Sequence, residues 1–137
     1  MEPLLTREQF KAQVFERSHG RCVRCGEPAV DAHHILERKL FSDGGYYLSN
    51  GAAVCADCHL ACERTTVSVK DVWAMASIAA PVLPPGWDPT ACWDKWGNRV
   101  WPSGLRSAGP LAGDDGMRRA LAAGGFLGLL MPTCYAE

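Results

Sequence analysis

Two Cys-x-x-Cys pairs, Cys22–Cys25 and Cys55–Cys58, constrain this chain more than any other feature. Four thiolates in two such pairs form a closed ligand set for one tetrahedral zinc ion. A chain pinched at those points must loop out whatever lies between them. The loop has 29 residues, Gly26 through Val54, against the roughly 15–20 of a simple four-cysteine ribbon. It is therefore read as an inserted hairpin clamped at its base. The insert carries Asp31-Ala32-His33-His34 and Asn50, and His59 follows the last of the four cysteines directly.

The seven cysteines are an odd number. Four of them in two close pairs favour a metal in a reducing compartment over a disulfide framework. Cys62 is the rival fifth ligand, at a poorer spacing, and Cys92 and Cys134 read as small core residues. Met1-Glu2-Pro3-Leu4-Leu5 has no basic n-region, and no apolar run approaches the roughly 20 residues of a membrane helix. A cytoplasmic, reducing location and no membrane partner are expected. The formal net charge of -1 and pI of about 6.4 neither support nor exclude a nucleic-acid substrate, so any phosphate-binding surface must be local.

Along the chain, Thr6-Arg7-Glu8-Gln9 reads as a capping box that starts a helix over about 7–17, ending at Gly20. His19, in that helix stop, reads as a surface residue. Residues 29–36 read as a strand holding the His pair, Ser42–Gly45 as a turn, and Ala52–Val54 as a second strand. A helix is expected over about 59–64. A second capping box, Ser68 with Asp71, should start another running to about Ala79, before Pro81. Residues 81–110 then turn rich in Pro and Trp, with a hairpin expected at Trp93–Trp101 around a Gly97-Asn98 turn. A last helix is expected from about Asp114 to Ala123, and no assignment follows for 124–137.

Cys22-x-x-Cys25, Asp31-Ala32-His33-His34-Ile35, the Asp43-Gly44-Gly45 turn, Asn50 and Cys55-x-x-Cys58-His59 together resemble the HNH endonucleases, the ββα-metal or His-Me finger group. The resemblance covers about residues 20–64 and none of 81–137. It implies an α+β, zinc-stabilised ββα-metal fold with an N-terminal helix and an irregular Trp/Pro-rich C-terminal extension. It implies that His33 and His59 bind a catalytic divalent ion and that His34 is the general base. Asn50 would orient His34 and tie the hairpin together. The third ligand of the family, commonly His or Asn four residues after His59, falls here on Glu63.

Elementary geometry is compatible with that division of roles. Neighbouring strand residues point to opposite faces, so one ion does not take both His33 and His34. His59 and Glu63, four apart, share a helix face. A carboxylate suits Mg²⁺ or Mn²⁺, whereas the four cysteines suit structural Zn²⁺. Arg24, Arg38, Lys39 and Arg64 lie close enough to the motif to hold phosphates. The tryptophans with Lys95 and Arg99 read as core and turn, or as platforms for bases.

Residues 1–80 are thus expected to form a DNA-cleaving HNH domain, with RNA as the alternative substrate. Residues 81–137 form an extension packed on it, open to a homodimer contact or a protein partner. The competing readings are a zinc-bound nucleic-acid-binding module without catalysis, and an adaptor that uses the Trp-rich tail.

Overall fold

Thr6 accepts a hydrogen bond from the Gln9 N–H, and the Gln9 side chain accepts one from the Thr6 N–H, so the capping box closes in full at the start of α1 (Arg7–Arg17). The computed structural model of the protein describes residues 2–131. α1 stops at Ser18-His19-Gly20 as expected, with Gly20 left-handed at φ 72°. His19 is left-handed too (φ 57°), while the N–H groups of His19 and Gly20 close back onto Glu16 and Phe15. His19 is exposed, as expected.

The first Cys pair sits on a tight knuckle. The Cys22 N–H donates to Glu27 O, and the Gly26 N–H donates to Cys22 O, with Gly26 at φ 79°. The chain then forms β1 (Asp31–His34), which pairs antiparallel with β2 (Gly51–Val54). The register sets His33 opposite Ala52 and His34 opposite Gly51. β1 is shorter than the 29–36 read from sequence, although Val30 N–H to Val54 O and Ile35 N–H to Asn50 O extend the ladder at both ends.

Strand alternation gives this hairpin two faces. Ala32, His34, Gly51 and Ala53 face α1, where Phe10 and Val14 are buried. The approach is close: a Cβ added at Gly51 would overlap both Val14 and Phe10. Asp31, His33, Ala52 and Val54 face α2 (Ala56–Glu63). That helix starts three residues before the expected His59, because the Cys55 sulfur accepts the Cys58 N–H and caps it. The core behind the hairpin gathers Ile35, Leu36, Phe41, Cys62, Val67 and Val72.

α3 (Val69–Met75) is capped by Ser68, which accepts the Asp71 N–H, without the return bond that a longer Glu or Gln makes. It stops short of Ala79. Ser77 adopts φ 58° and the Ile78 N–H closes onto Trp73 O, so the helix ends before Pro81 is reached. No helix among the described residues is long and apolar enough to cross a membrane.

The extension folds back onto the hairpin. Ile78, Val82, Leu83 and Trp87 pack on the main core, and Trp87 stacks on Trp93 at 4.2 Å. The expected Gly97-Asn98 turn is displaced: the Gly97 N–H donates to Asp94 O, which centres the turn on Lys95-Trp96. Asp94 holds this turn by accepting from the N–H groups of Trp96 and Asn98 and from Arg106. Between Pro-rich connections lie β3 (Arg99–Val100), β4 (Arg106–Ser107) and β5 (Leu130–Met131), in that sheet order, with β4 parallel to β5. α4 (Asp115–Gly124), capped by Asp114 as expected, buries Met117 and Leu121 against Trp96. The helices and small sheets together make an α+β fold, with a cysteine cluster that fits zinc stabilisation. Cys92, expected in the core, is exposed, because the turn before β3 carries it outward, while the expectation for Cys134 lies outside the described residues.

Candidate metal centre and active site

The knuckle after α1 and the capped start of α2 bring Cys22, Cys25, Cys55 and Cys58 together, with one sulfur from each within 4.8 Å of the others. Cys25 Sγ lies 3.6 Å from Cys55 Sγ, near the roughly 3.8 Å that a tetrahedral site with Zn–S bonds of about 2.3 Å requires. Burial opposes ionisation of Cys22, but the backbone N–H groups around it bring its thiol down to about 6. Burial and the neighbouring thiols push Cys58 up to about 12. Four sulfurs at this spacing do not all ionise without a cation to compensate them. Arg24 donates to Cys58 Sγ at 3.7 Å. Cys62 turns away into the apolar core, where burial pushes its thiol up to about 11.

A second cluster lies on the same helix. His33 projects from β1 towards α2 and meets His59 and Glu63, one turn apart, with one ligand atom of each within 4.8 Å of the others. The His33 and His59 rings are 5.0 Å apart, and His33 Nδ1 is 3.8 Å from Glu63 Oε2. Both of those atoms are buried and have no hydrogen-bond partner among the described residues. Buried polar atoms left unpartnered are costly, and a divalent cation held between them removes that cost. Burial, with the Lys95 ammonium adding to it, keeps His33 well below the usual histidine range, hence neutral and able to ligate. Asp31, on the same face, lies 3.0 Å from His59 Nδ1. A carboxylate at that nitrogen leaves the other ring nitrogen free for a metal.

His34 points to the opposite face. It stacks on Phe10 at 4.6 Å, meets Tyr46 edge-on at 5.0 Å, and lines a cleft of about 320 Å³ with Arg7, Lys11, Asp31 and Arg38. Asp31 therefore borders both the cleft and the His59 ligand. Burial first, then Lys95 and Arg38, bring the His34 imidazole down to about 4, so it is neutral at pH 7. Asn50 is 1% exposed; its amide accepts the Leu36 N–H and donates to Leu36 O and Gly45 O. It ties the hairpin loop together and reaches His34 only through the backbone.

The four cations expected at phosphates are placed differently from one another. Arg38 lines the His34 cleft and donates to the Tyr46 hydroxyl. Arg24 lies against the cysteine cluster, and Lys39 is paired with Asp114 at 2.6 Å. Arg64 is exposed just past α2. Arg7 and Lys11, one turn apart on α1, share the cleft with Arg38 and were not singled out from sequence. Asp31 stood in the motif without a role. Lys95 is the largest omission. It is 4% exposed, and its ammonium donates to His34 O at 3.2 Å and to Glu37 Oε2 at 3.3 Å. It also lies 3.2 Å from Glu63 Oε2, off hydrogen-bond alignment, so it approaches that carboxylate as a charge and leaves its lone pairs open.

Residues 22–64 match the family model described as HNH endonuclease. No curated protein and no solved structure matched the chain. The matched segment runs from the first cysteine of the knuckle to the end of α2, and it contains both ligand clusters, His34 and Asn50. Residues 22–64 thus carry a match to the HNH endonuclease family on a small α+β core consistent with such a domain.

Proposed function

We propose that this protein is a metal-dependent endonuclease that hydrolyses phosphodiester bonds in DNA. The observation that carries the reading is the convergence of His33 Nδ1 and Glu63 Oε2, two buried atoms without a hydrogen bond, 3.8 Å apart beside His59. His33, His59 and Glu63 would hold Mg²⁺ or Mn²⁺, and the four cysteines would hold structural Zn²⁺. A divalent cation held by His33, His59 and Glu63 would supply charge to stabilise the phosphate and the departing 3′ oxygen.

The other roles belong to side chains. His34, neutral and in the cleft, takes the proton from the attacking water. Phe10 and Tyr46 hold its ring on two sides. Arg7, Lys11 and Arg38 offer cations to the strand that enters. Phosphates placed there also offset the Arg38 and Arg7 charges that depress the His34 pKa. Asn50 keeps the loop between β1 and β2 in shape. With one base and one ion centre per chain, each active site cuts one strand, and a double-strand break needs a dimer or two encounters. Four cysteines gathered as a metal set rather than as disulfides suit a reducing compartment.

One observation favours a second reading. Lys95 already compensates the Glu63 carboxylate, as a binding module without catalysis would require. Plasmid nicking with Mg²⁺ or Mn²⁺, beside a His34→Ala protein, separates the two. The nuclease reading expects the wild type to nick, and the variant and chelated wild type to fail. Equal nicking by wild type and His34→Ala would refute it. A parallel RNA substrate decides between the two nucleic acids.

A further inference from the structure

Lys95 and Trp96 form the tip of a turn in the extension, outside the matched segment, yet they grip both elements that carry the candidate ligands. The Trp96 indole N–H donates to the Glu63 backbone oxygen at 2.8 Å. The Glu37 N–H donates to Lys95 O at 2.9 Å, and the Lys95 ammonium returns to His34 O, at the end of β1. That ammonium then sits between the Glu37 and Glu63 carboxylates, both within 3.3 Å.

We propose that Lys95 is a positioning residue of the metal centre: held between Glu63, Glu37 and the end of β1, it offsets carboxylate charge so that the loaded centre does not turn net negative towards a phosphate. The inference rests on the metal-dependent reading of His33, His59 and Glu63.

The charge count makes the point. With both imidazoles ligating as neutral donors, Asp31, Glu37, Glu63 and Lys95 carry two net negative charges, so a bound divalent ion leaves the set neutral. Without Lys95 the set carries three negative charges, and the loaded centre keeps one. A net negative centre binds its ion more tightly but repels an anionic substrate. Glu63 adds a carboxylate to the ligand set, and the lysine that compensates it comes from outside residues 22–64. The ammonium does not offer itself to substrate: it is buried, two of its donors are bonded, and its third side faces Glu63.

The test is Mn²⁺ binding to the full chain, read by the electron paramagnetic resonance signal of free Mn²⁺, with plasmid nicking alongside. Lys95→Met is expected to bind Mn²⁺ about tenfold more tightly and to nick about tenfold more slowly. A merely structural lysine would weaken both. Glu37→Gln/Lys95→Met restores the charge without restoring the lysine, so its Mn²⁺ affinity is expected to return to within about threefold of wild type. Glu37→Gln alone keeps the lysine and is expected to weaken Mn²⁺, which tests the charge count even if Lys95→Met does not fold. Wild type that binds Mn²⁺ beside a folded Lys95→Met with equal or weaker affinity overturns the role of Lys95. So does a Glu37→Gln that binds no more weakly than wild type. Wild type that binds no Mn²⁺ overturns the metal centre itself.

Discussion

The four-cysteine cluster and the His33–His59–Glu63 centre share α2, yet they differ in how they are held. The cysteines are set by local backbone: a knuckle closed by Gly26 at one end and a helix capped by the Cys55 sulfur at the other. Every sulfur has sulfur neighbours, so the set is closed. The second centre has three candidate ligands, two buried atoms without a hydrogen bond, and two supports: Asp31, two residues from His33 on β1, and Lys95 from the extension. Closed sets of this kind contribute folding energy, whereas open ones leave room for substrate. The comparison teaches that one helix carries the closed cysteine cluster at its start and two members of the open candidate centre, one turn apart, in its second half.

The largest expected effect falls on the cysteines. Cys58→Ser, or chelation of the native protein, is expected to unfold the domain, because apparent zinc binding energies of about 10–16 kcal/mol act as folding energy in small zinc modules. Circular dichroism with and without chelator reads it, and an unchanged spectrum with no zinc in the purified protein breaks the comparison. Next comes His34→Ala, expected to slow nicking by about 100-fold or more with an unaltered fold. Glu63→Ala is then expected to raise the Mn²⁺ concentration needed for half-maximal nicking about tenfold while zinc content stays constant. A loss of zinc in that variant would mean the two centres are not separable. Gly51→Ala, which drives a methyl into Phe10 and Val14, is expected to cost about 1–3 kcal/mol in a denaturant titration. The smallest effect is that of Arg7→Ala/Lys11→Ala, expected to weaken DNA binding and to reduce its salt slope by about 2.

The contrast between the centres also explains what the sequence could reveal. Cys22-x-x-Cys25 and Cys55-x-x-Cys58 are local patterns, and His59 and Glu63 sit one helical turn apart, so their meeting was legible from spacing. The opposed faces of His33 and His34 followed from strand alternation, and the capping box at Thr6–Gln9 marked the start of α1. The start of α2 was misplaced because a cysteine sulfur is not a usual cap. Two helix ends, at Ser77 and Thr65, use left-handed residues that carry no glycine signal. The sheet of the extension has strands of two residues, too short to show a period of two. Lys95 was visible only as part of a turn or of a base-stacking platform. Its partner His34 lies 61 residues away in the chain, and no local pattern encodes that contact.

The most direct measurement counts metals in His33→Ala beside the wild type: zinc by elemental analysis and Mn²⁺ by equilibrium titration. Two separate centres predict one zinc per chain in both proteins, and one Mn²⁺ bound by the wild type but lost from the variant. Loss of zinc on His33→Ala, or Mn²⁺ binding that the substitution leaves unchanged, would contradict the account.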